Sequence, residues 1–112
     1  MSNIIYFASP YSHPDPDVIN ERFQKACHAV ADMTSKGYVV ISPIIYGHTL
    51  IQYREMPGDY GFWKNFCQSF LLKCSEMVVF KLPGWEESKG IQAEIEQAEQ
   101  IGMKITYIEP KN

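Results

Sequence analysis

Arginine is scarce in this chain of 112 residues, which has a net charge of −3 and only two arginines, Arg22 and Arg54. The lysines are scattered, so the sequence has no basic stripe to neutralise a phosphate backbone. We therefore expect no nucleic acid polymer as a partner. Free nucleosides and nucleotides stay open as ligands, because they require only a few contacts to an anion.

Paired cysteines and long apolar runs are also missing. Cys27, Cys67 and Cys74 are odd in number and form no C-x-x-C motif, which predicts free, mostly buried thiols in a cytoplasmic protein. No apolar run approaches about 18 residues, so we expect neither a signal peptide nor a membrane span. His13 and His48 lack the spacing of metal ligands, so no metal site is expected.

What the chain does contain is an alternation of short apolar segments and helical patterns, which predicts one domain over residues 1–112. Helices are predicted after Asp15-Pro16, from Phe62 and over 89–101, and the segment 43–61 is predicted as a long loop or short irregular helix. The predicted strands are 3–9, 38–42, 76–82 and 104–108. Continuous apolar strands are typical of a parallel sheet that is covered on both faces. The order therefore predicts a three-layer, doubly wound α/β fold with a mainly parallel sheet of about four strands.

Polar and aromatic side chains follow the first three predicted strands. In doubly wound sheets, ligands bind beyond the carboxyl ends of the strands, so these loops predict a ligand site. The alternative is that the aromatic residues only anchor the loops by packing. The residues concerned are Ser9, Tyr11, Ser12 and His13 in the first loop, Ser42, Tyr46 and His48 in the second, and Trp85 and Ser88 in the third.

Glu94 is an acidic residue inside the predicted buried stripe of the last helix. At about 100° per residue, Glu94 falls between Ala98 and Ile101, on the side of Ile91, whereas Glu96 falls on the outer side. A buried carboxylate is costly without partners, but a helix N-terminus favours negative charge. We therefore predict that Glu94 is ionised and serves as a nucleophile or general base. The alternative is a structural carboxylate that caps backbone amides or pairs with a lysine.

Two motifs carry a resemblance to a known family. "YFASPYS" at 6–12 and "LPGWEESKGIQAEIEQAEQIGMKI" at 82–105 resemble the nucleoside 2-deoxyribosyltransferase-like superfamily, in particular its small bacterial and phage members. The resemblance implies a flavodoxin-like, Rossmann-like sheet. It also implies cleavage of an N-glycosidic bond, or deoxyribosyl transfer, through a carboxylate nucleophile. The family's Gly-x-x-x-Glu stretch falls on Gly90 and Glu94.

The resemblance also implies a set of substrate-binding residues and requires no organic cofactor. This chain departs from the transferases in having no acid between Asp59 and Glu76, where they place an aspartate that handles the base. Two other functions stay open: a non-catalytic nucleotide- or phosphosugar-binding module, and a structural interaction protein. In each case we expect a homo-oligomer, because the aromatic segment 46–63 has little chain to cover it. The implied binding residues are Tyr6, Ser9, Tyr11, Ser12, Trp85, Ser88 and Gly90.

Overall fold

The sheet has four strands, all parallel, in a computed structural model that describes residues 3–111. Its order is β2-β1-β3-β4, so the chain turns one way from β1 to β2 and the other way from β3 to β4. The predicted doubly wound, flavodoxin-like architecture is therefore confirmed. The elements are β1 (Ile4–Ala8), α1 (Pro16–Ser35), β2 (Val39–Ile41), α2 (Pro43–Ile51), α3 (Tyr60–Leu71), β3 (Glu76–Phe80), α4 (Lys89–Gln100) and β4 (Lys104–Ile108).

Strand β1 supplies side chains to both layers of helices. Successive residues of a strand point to opposite faces of its sheet. Ile5 and Phe7 pack into a cluster with Ala26 of α1, whereas Tyr6 and Ala8 pack into a second cluster on the side of α3 and α4. The sheet is thus covered on both faces, which explains the continuous apolar run in the sequence.

The starts of the helices are fixed by side-chain caps. Asp15 caps α1 ahead of Pro16, and the Ser88 hydroxyl accepts a hydrogen bond from the backbone N–H of Ile91 in α4, as predicted. Gly37, at φ 95°, ends the turn after α1 in a backbone region that favours glycine. These caps place both helices with their N-termini at the carboxyl edge of the sheet.

The segment 43–61, predicted as a long loop or short irregular helix, contains more regular structure than its composition suggests. Residues 43–51 form helix α2, because Ser42 caps the helix and Pro43 occupies its first turn. The loop is confined to the residues between α2 and α3. His48, predicted as a loop residue, therefore lies on a helix.

Three predictions about burial were wrong in part. Val39 is 60% exposed, because β2 is an edge strand and not a central one. Ile101 is exposed, because it is the C-cap residue of α4 and no longer follows the helical period. All three cysteines are free, but only Cys67 is buried, while Cys27 and Cys74 are half-buried.

Several aromatic rings of α2 and α3 remain on the surface. Tyr46 stacks on Phe66 with ring centroids 5.5 Å apart, and Phe62 is exposed beside Trp63. These exposed rings are the surface on which the prediction of a homo-oligomer rests. None of the helices within residues 3–111 combines the length and apolarity that a membrane crossing requires.

Candidate active site

A cavity of about 640 Å³ opens at the carboxyl ends of β1 and β3. The direction of the chain connections reverses between these two strands, which is where ligands bind in sheets of this type. The first loop and the starts of α2, α3 and α4 form its walls. The volume falls within the range of small-molecule sites.

Glu94 lies at the bottom of this cavity with 6% of its surface exposed. The Tyr6 hydroxyl of β1 donates a hydrogen bond to Glu94 Oε2 at 3.0 Å. No lysine, arginine or histidine within residues 3–111 forms an ion pair with Glu94. The alternative of a structural carboxylate that pairs with a lysine therefore finds no support in the described part of the chain.

Burial controls the protonation of this carboxyl group. It raises the pKa of Glu94 from 4.5 to about 7, while hydrogen bonds from Tyr6 and Cys67 act in the opposite direction. With a pKa of about 7, Glu94 is only partly ionised at pH 7, because desolvation opposes the ionisation expected from the helix N-terminus. Burial, and then the Glu94 charge, raise the pKa of Tyr6, so Tyr6 stays a phenol and a hydrogen-bond donor. Burial also raises the pKa of Cys67 to about 12.

The start of α3 forms one wall through two contacts between an aromatic ring and a glycine. A Cβ atom at Gly90 would lie 2.8 Å from Cδ1 of Tyr60, and one at Gly47 would lie 3.3 Å from the Trp63 ring. Real Cβ atoms essentially never show the first of these distances. Glycine is therefore required at position 90 so that the Tyr60 ring can reach the cavity.

Helix α2 contributes an imidazole to the cavity lining. The Tyr11 hydroxyl and His48 Nδ1 are 2.8 Å apart, and the His48 ring stacks on Phe23 with centroids 3.9 Å apart. Burial lowers the pKa of His48 and raises that of Tyr11. Both side chains are therefore neutral at pH 7, and they form a polar pair on the cavity wall.

Two hydroxyl groups at the cavity have unused hydrogen-bonding capacity. Ser9 is 4% exposed, and its Oγ makes no hydrogen bond within the described residues. The hydroxyl of Tyr60 is likewise buried and unpaired there. Buried polar groups are nearly always paired, so unpaired ones at a cavity mark positions where a ligand or water completes the network.

The sequence of the whole domain matches one family model. That model is described as a domain of unknown function, DUF1937, and it matches residues 3–109. The chain belongs to the DUF1937 family. A search of curated proteins finds no match to it.

The structure of this DUF1937 domain brings most of the predicted site residues to the cavity. Trp85 is not among them: its ring lies 5.7 Å from the ring of Tyr107 and packs against the core. Ser42 and Tyr46 also lie away from the cavity, since Ser42 caps α2 and Tyr46 faces outward. Those that line it are Tyr6, Ser9, Tyr11, Ser12, His13, His48, Ser88, Gly90 and Glu94.

The interpretation of Gly90 changes with the structure. The resemblance implied that Gly90 contacts the substrate, whereas the space beside its Cα is filled by the Tyr60 ring. Ser88 lines the cavity, but its Oγ already accepts the backbone N–H of Ile91 at 3.2 Å. Its role in binding a ligand stays a prediction.

Several residues that line the cavity were not predicted from the sequence. Tyr60, Trp63 and Cys67 of α3 line it, as does Asp59, whose Oδ2 caps the same helix. Arg22 of α1 also reaches it. A helical period places these side chains on α3 or α1 but does not show which neighbouring element they face. Within residues 3–111, no three His, Cys, Asp or Glu side chains come together as metal ligands would.

Proposed function

We propose that this protein cleaves the N-glycosidic bond of a nucleoside or nucleotide, or transfers its sugar, with Glu94 as the nucleophile. The observation that carries the proposal is the placement of Glu94: a buried carboxylate, held by a tyrosine hydroxyl, at the bottom of a cavity of about 640 Å³. The resemblance of the two motifs to the nucleoside 2-deoxyribosyltransferase-like superfamily supports the same residue.

The Tyr6 hydroxyl gives the carboxylate one orientation. It donates to Oε2 and so limits the rotation of the carboxylate. A nucleophile that is fixed by the fold loses little entropy on reaction. Tyr6, assigned from the sequence as a substrate-binding residue, serves in this proposal as a positioning residue for Glu94.

The reaction begins when a Glu94 oxygen attacks the anomeric carbon while the bond from that carbon to the base nitrogen breaks. The bonding electron pair leaves with the base, which takes up a proton from solvent. The product is a glycosyl ester of Glu94, which forms through an oxocarbenium-like transition state, as in retaining glycosidases. Water, or a second nucleobase, then attacks the same carbon. The ester bond to Glu94 breaks, and the carboxylate is released.

Asp59 is a candidate for contacting the base. Helix α3 carries no acid of its own, which is the departure noted in the sequence, but its N-cap Asp59 lines the cavity. The neutral pair Tyr11 and His48 lies on the cavity wall as well. These groups provide acceptors and donors suited to the edge of a base.

The proposal is tested by incubating the protein with a panel of nucleosides and nucleotides and measuring released bases by chromatography. We expect Glu94→Gln to lower the rate by several orders of magnitude, because Gln is nearly isosteric with Glu but a far poorer nucleophile. The matched control is Glu96→Gln, which changes an exposed residue of the same helix and should leave the rate nearly unchanged.

Trapping separates catalysis from binding alone. A mass increase of one sugar on Glu94, found by mass spectrometry after rapid quenching, would identify the glycosyl ester. Equal base release by the Glu94→Gln and Glu96→Gln proteins would contradict the proposal. Tight binding without base release would point to the non-catalytic binding module instead.

A further inference from the structure

Arg22 holds two loops together at the edge of the main cavity. Its Nη1 donates to the backbone oxygen of Ser12 at 2.9 Å, and its Nη2 donates to that of Pro83 at 3.1 Å. These contacts join the loop after β1 to the loop after β3. They use carbonyl oxygens only, and no carboxylate within residues 3–111 forms an ion pair with Arg22. The positive charge is therefore held in place without being neutralised.

The backbone at Gly84 is shaped around this guanidinium. Gly84 has φ +97°, and a Cβ atom there would lie 2.5 Å from Arg22 Nη2. The conformation favours glycine, and a Cβ atom there would force the guanidinium to shift. The two carbonyl contacts hold the guanidinium in place.

A second cavity of about 320 Å³, which we call the annex, adjoins the main cavity at this point. His13, Arg22 and Gly84 line both spaces. The other charged residues of the annex are Lys25 and Glu21, which pair with each other at 3.1 Å. Because that pair cancels, the annex keeps the charge of Arg22.

His13 adds an oriented donor to the annex. Its Nδ1 accepts a hydrogen bond from the backbone N–H of Asp15 at 3.0 Å. A neutral imidazole that accepts at one nitrogen carries its proton on the other, so Nε2 is a donor. Arg22 and His13 together offer donors and a positive charge, and no acceptor.

The main cavity and the annex differ in the charged side chains that line them. Asp59, Glu87, Glu94 and Lys89 line only the main cavity, whereas Arg22 is shared with the annex. Three acidic side chains outnumber the single lysine in the main cavity, so the anionic end of a ligand is favoured at Arg22. A phosphate monoester matches the fork of a guanidinium, which binds its oxygens by charge-assisted hydrogen bonds.

We propose that Arg22 and His13 form a phosphate-binding annex, so that the ligand of the main cavity is a nucleoside 5′-monophosphate in preference to a nucleoside. The nucleoside part of this proposal rests on the proposed function. The phosphate part rests on the annex alone.

Binding is measured by isothermal titration calorimetry with 2′-deoxyadenosine, 2′-deoxycytidine and their 5′-monophosphates, in the Glu94→Gln background to prevent turnover. We expect the monophosphates to bind at least about 10-fold more tightly than the nucleosides. Adding Arg22→Gln should weaken monophosphate binding roughly 10- to 100-fold, as for the loss of charge-assisted hydrogen bonds, and weaken nucleoside binding much less. Arg54→Gln is the matched control, since it removes the only other arginine, which is exposed and lies outside both cavities.

Arg22→Lys distinguishes the two roles of Arg22, which are to supply a positive charge and to join the two loops. Lysine keeps the positive charge but cannot bridge both carbonyl oxygens, so this variant should melt at a lower temperature and still prefer the monophosphates. A similar loss for nucleosides and monophosphates in Arg22→Gln would overturn the annex and leave Arg22 as a link between loops. Equal affinity of the Glu94→Gln protein, with Arg22 intact, for nucleosides and for their 5′-monophosphates would also overturn the annex.

The annex and the proposed function fail in different ways. Monophosphate binding that depends on Arg22, in a protein that releases no base, would keep the annex and overturn the glycosidase. Base release that depends on Glu94 but proceeds equally well from nucleosides and monophosphates would overturn the annex and keep the glycosidase.

Discussion

The two faces of the sheet are built from the same strands but bury different chemistry. The face covered by α1 contains only apolar side chains at its centre, with Phe7 packed on Phe80 at a centroid distance of 5.4 Å. The face covered by α3 and α4 buries a phenol, a thiol and a carboxyl group: Tyr6, Cys67 and Glu94. Because side chains of β1 alternate between the faces, the neighbouring residues Tyr6 and Phe7 lie on opposite faces, Tyr6 beside Glu94 and Phe7 in the apolar cluster.

The buried phenol, thiol and carboxyl group thus share one face of the sheet, although both faces contain an apolar cluster. Apolar burial stabilises a protein at any pH, whereas a buried carboxyl group makes stability depend on pH. Substitutions on one face at a time test whether the dependence of stability on pH belongs to the face that contains Glu94.

The largest effect on stability is expected from Phe7→Ala on the apolar face. Phe7 is fully buried, so the substitution removes a ring and leaves a cavity, which should lower the free energy of unfolding by about 3–5 kcal/mol. The loss should be the same at pH 5 and pH 8 in urea titrations. Tyr53→Ala, at an exposed position, is the control and should change stability little. A loss that varied with pH would mean that the two faces are coupled.

A somewhat smaller effect of opposite sign is expected from Glu94→Gln on the other face. The pKa of Glu94 is about 7 in the folded protein and near 4.5 when unfolded, so the folded state keeps a proton that the unfolded chain releases. The stabilisation from this proton is complete below about pH 4.5 and is lost as the pH rises to about 7. Glu94→Gln should therefore be up to about 3 kcal/mol more stable than the native protein at pH 8 and nearly equal to it at pH 4.5.

The control for this measurement is Glu96→Gln, which should not change the dependence of stability on pH, because Glu96 is exposed. A Glu94→Gln protein that is less stable than the native protein at pH 8 would show that the carboxylate has a structural role. That result would also weaken the proposed function.

The smallest effect is expected from Tyr6→Phe. The Tyr6 hydroxyl lowers the pKa of Glu94, so its removal should raise that pKa further and move the acidic limb of the pH–rate profile of base release to higher pH. The loss of one hydrogen bond should change stability by about 1 kcal/mol. Tyr11→Phe is the matched control, because its hydroxyl contacts His48 and not Glu94. An acidic limb that moves equally in both variants would contradict the role given to Tyr6.

Much of this arrangement was predictable from local patterns. Glu94 was found because a helical period is a property of neighbouring residues, and the structure confirms that Glu94 is buried and Glu96 exposed. The strands and the caps Asp15 and Ser88 were found for the same reason. Ile101 was misplaced because the period ends where the helix ends.

The rest of the site depends on contacts between distant segments, which a single sequence does not show. Tyr60 reaches Gly90 across thirty positions of the chain, and Arg22 reaches Pro83 across 61. The protonation of Glu94 was also out of reach, since its pKa is set by burial in the folded protein, against which the hydrogen bonds from Tyr6 and Cys67 act.

The two contacts between glycine and an aromatic ring have an evolutionary consequence. The Tyr60 ring occupies the volume that a methyl group on Gly90 would need, whereas the Trp63 ring would have to move by only a few tenths of an ångström to admit one on Gly47. A mutation that adds a side chain at Gly90 is therefore tolerated only after the side chain at position 60 has become smaller. Positions 60 and 90 should thus covary within the family more strongly than positions 63 and 47, with the order of the mutations at 60 and 90 fixed by steric exclusion.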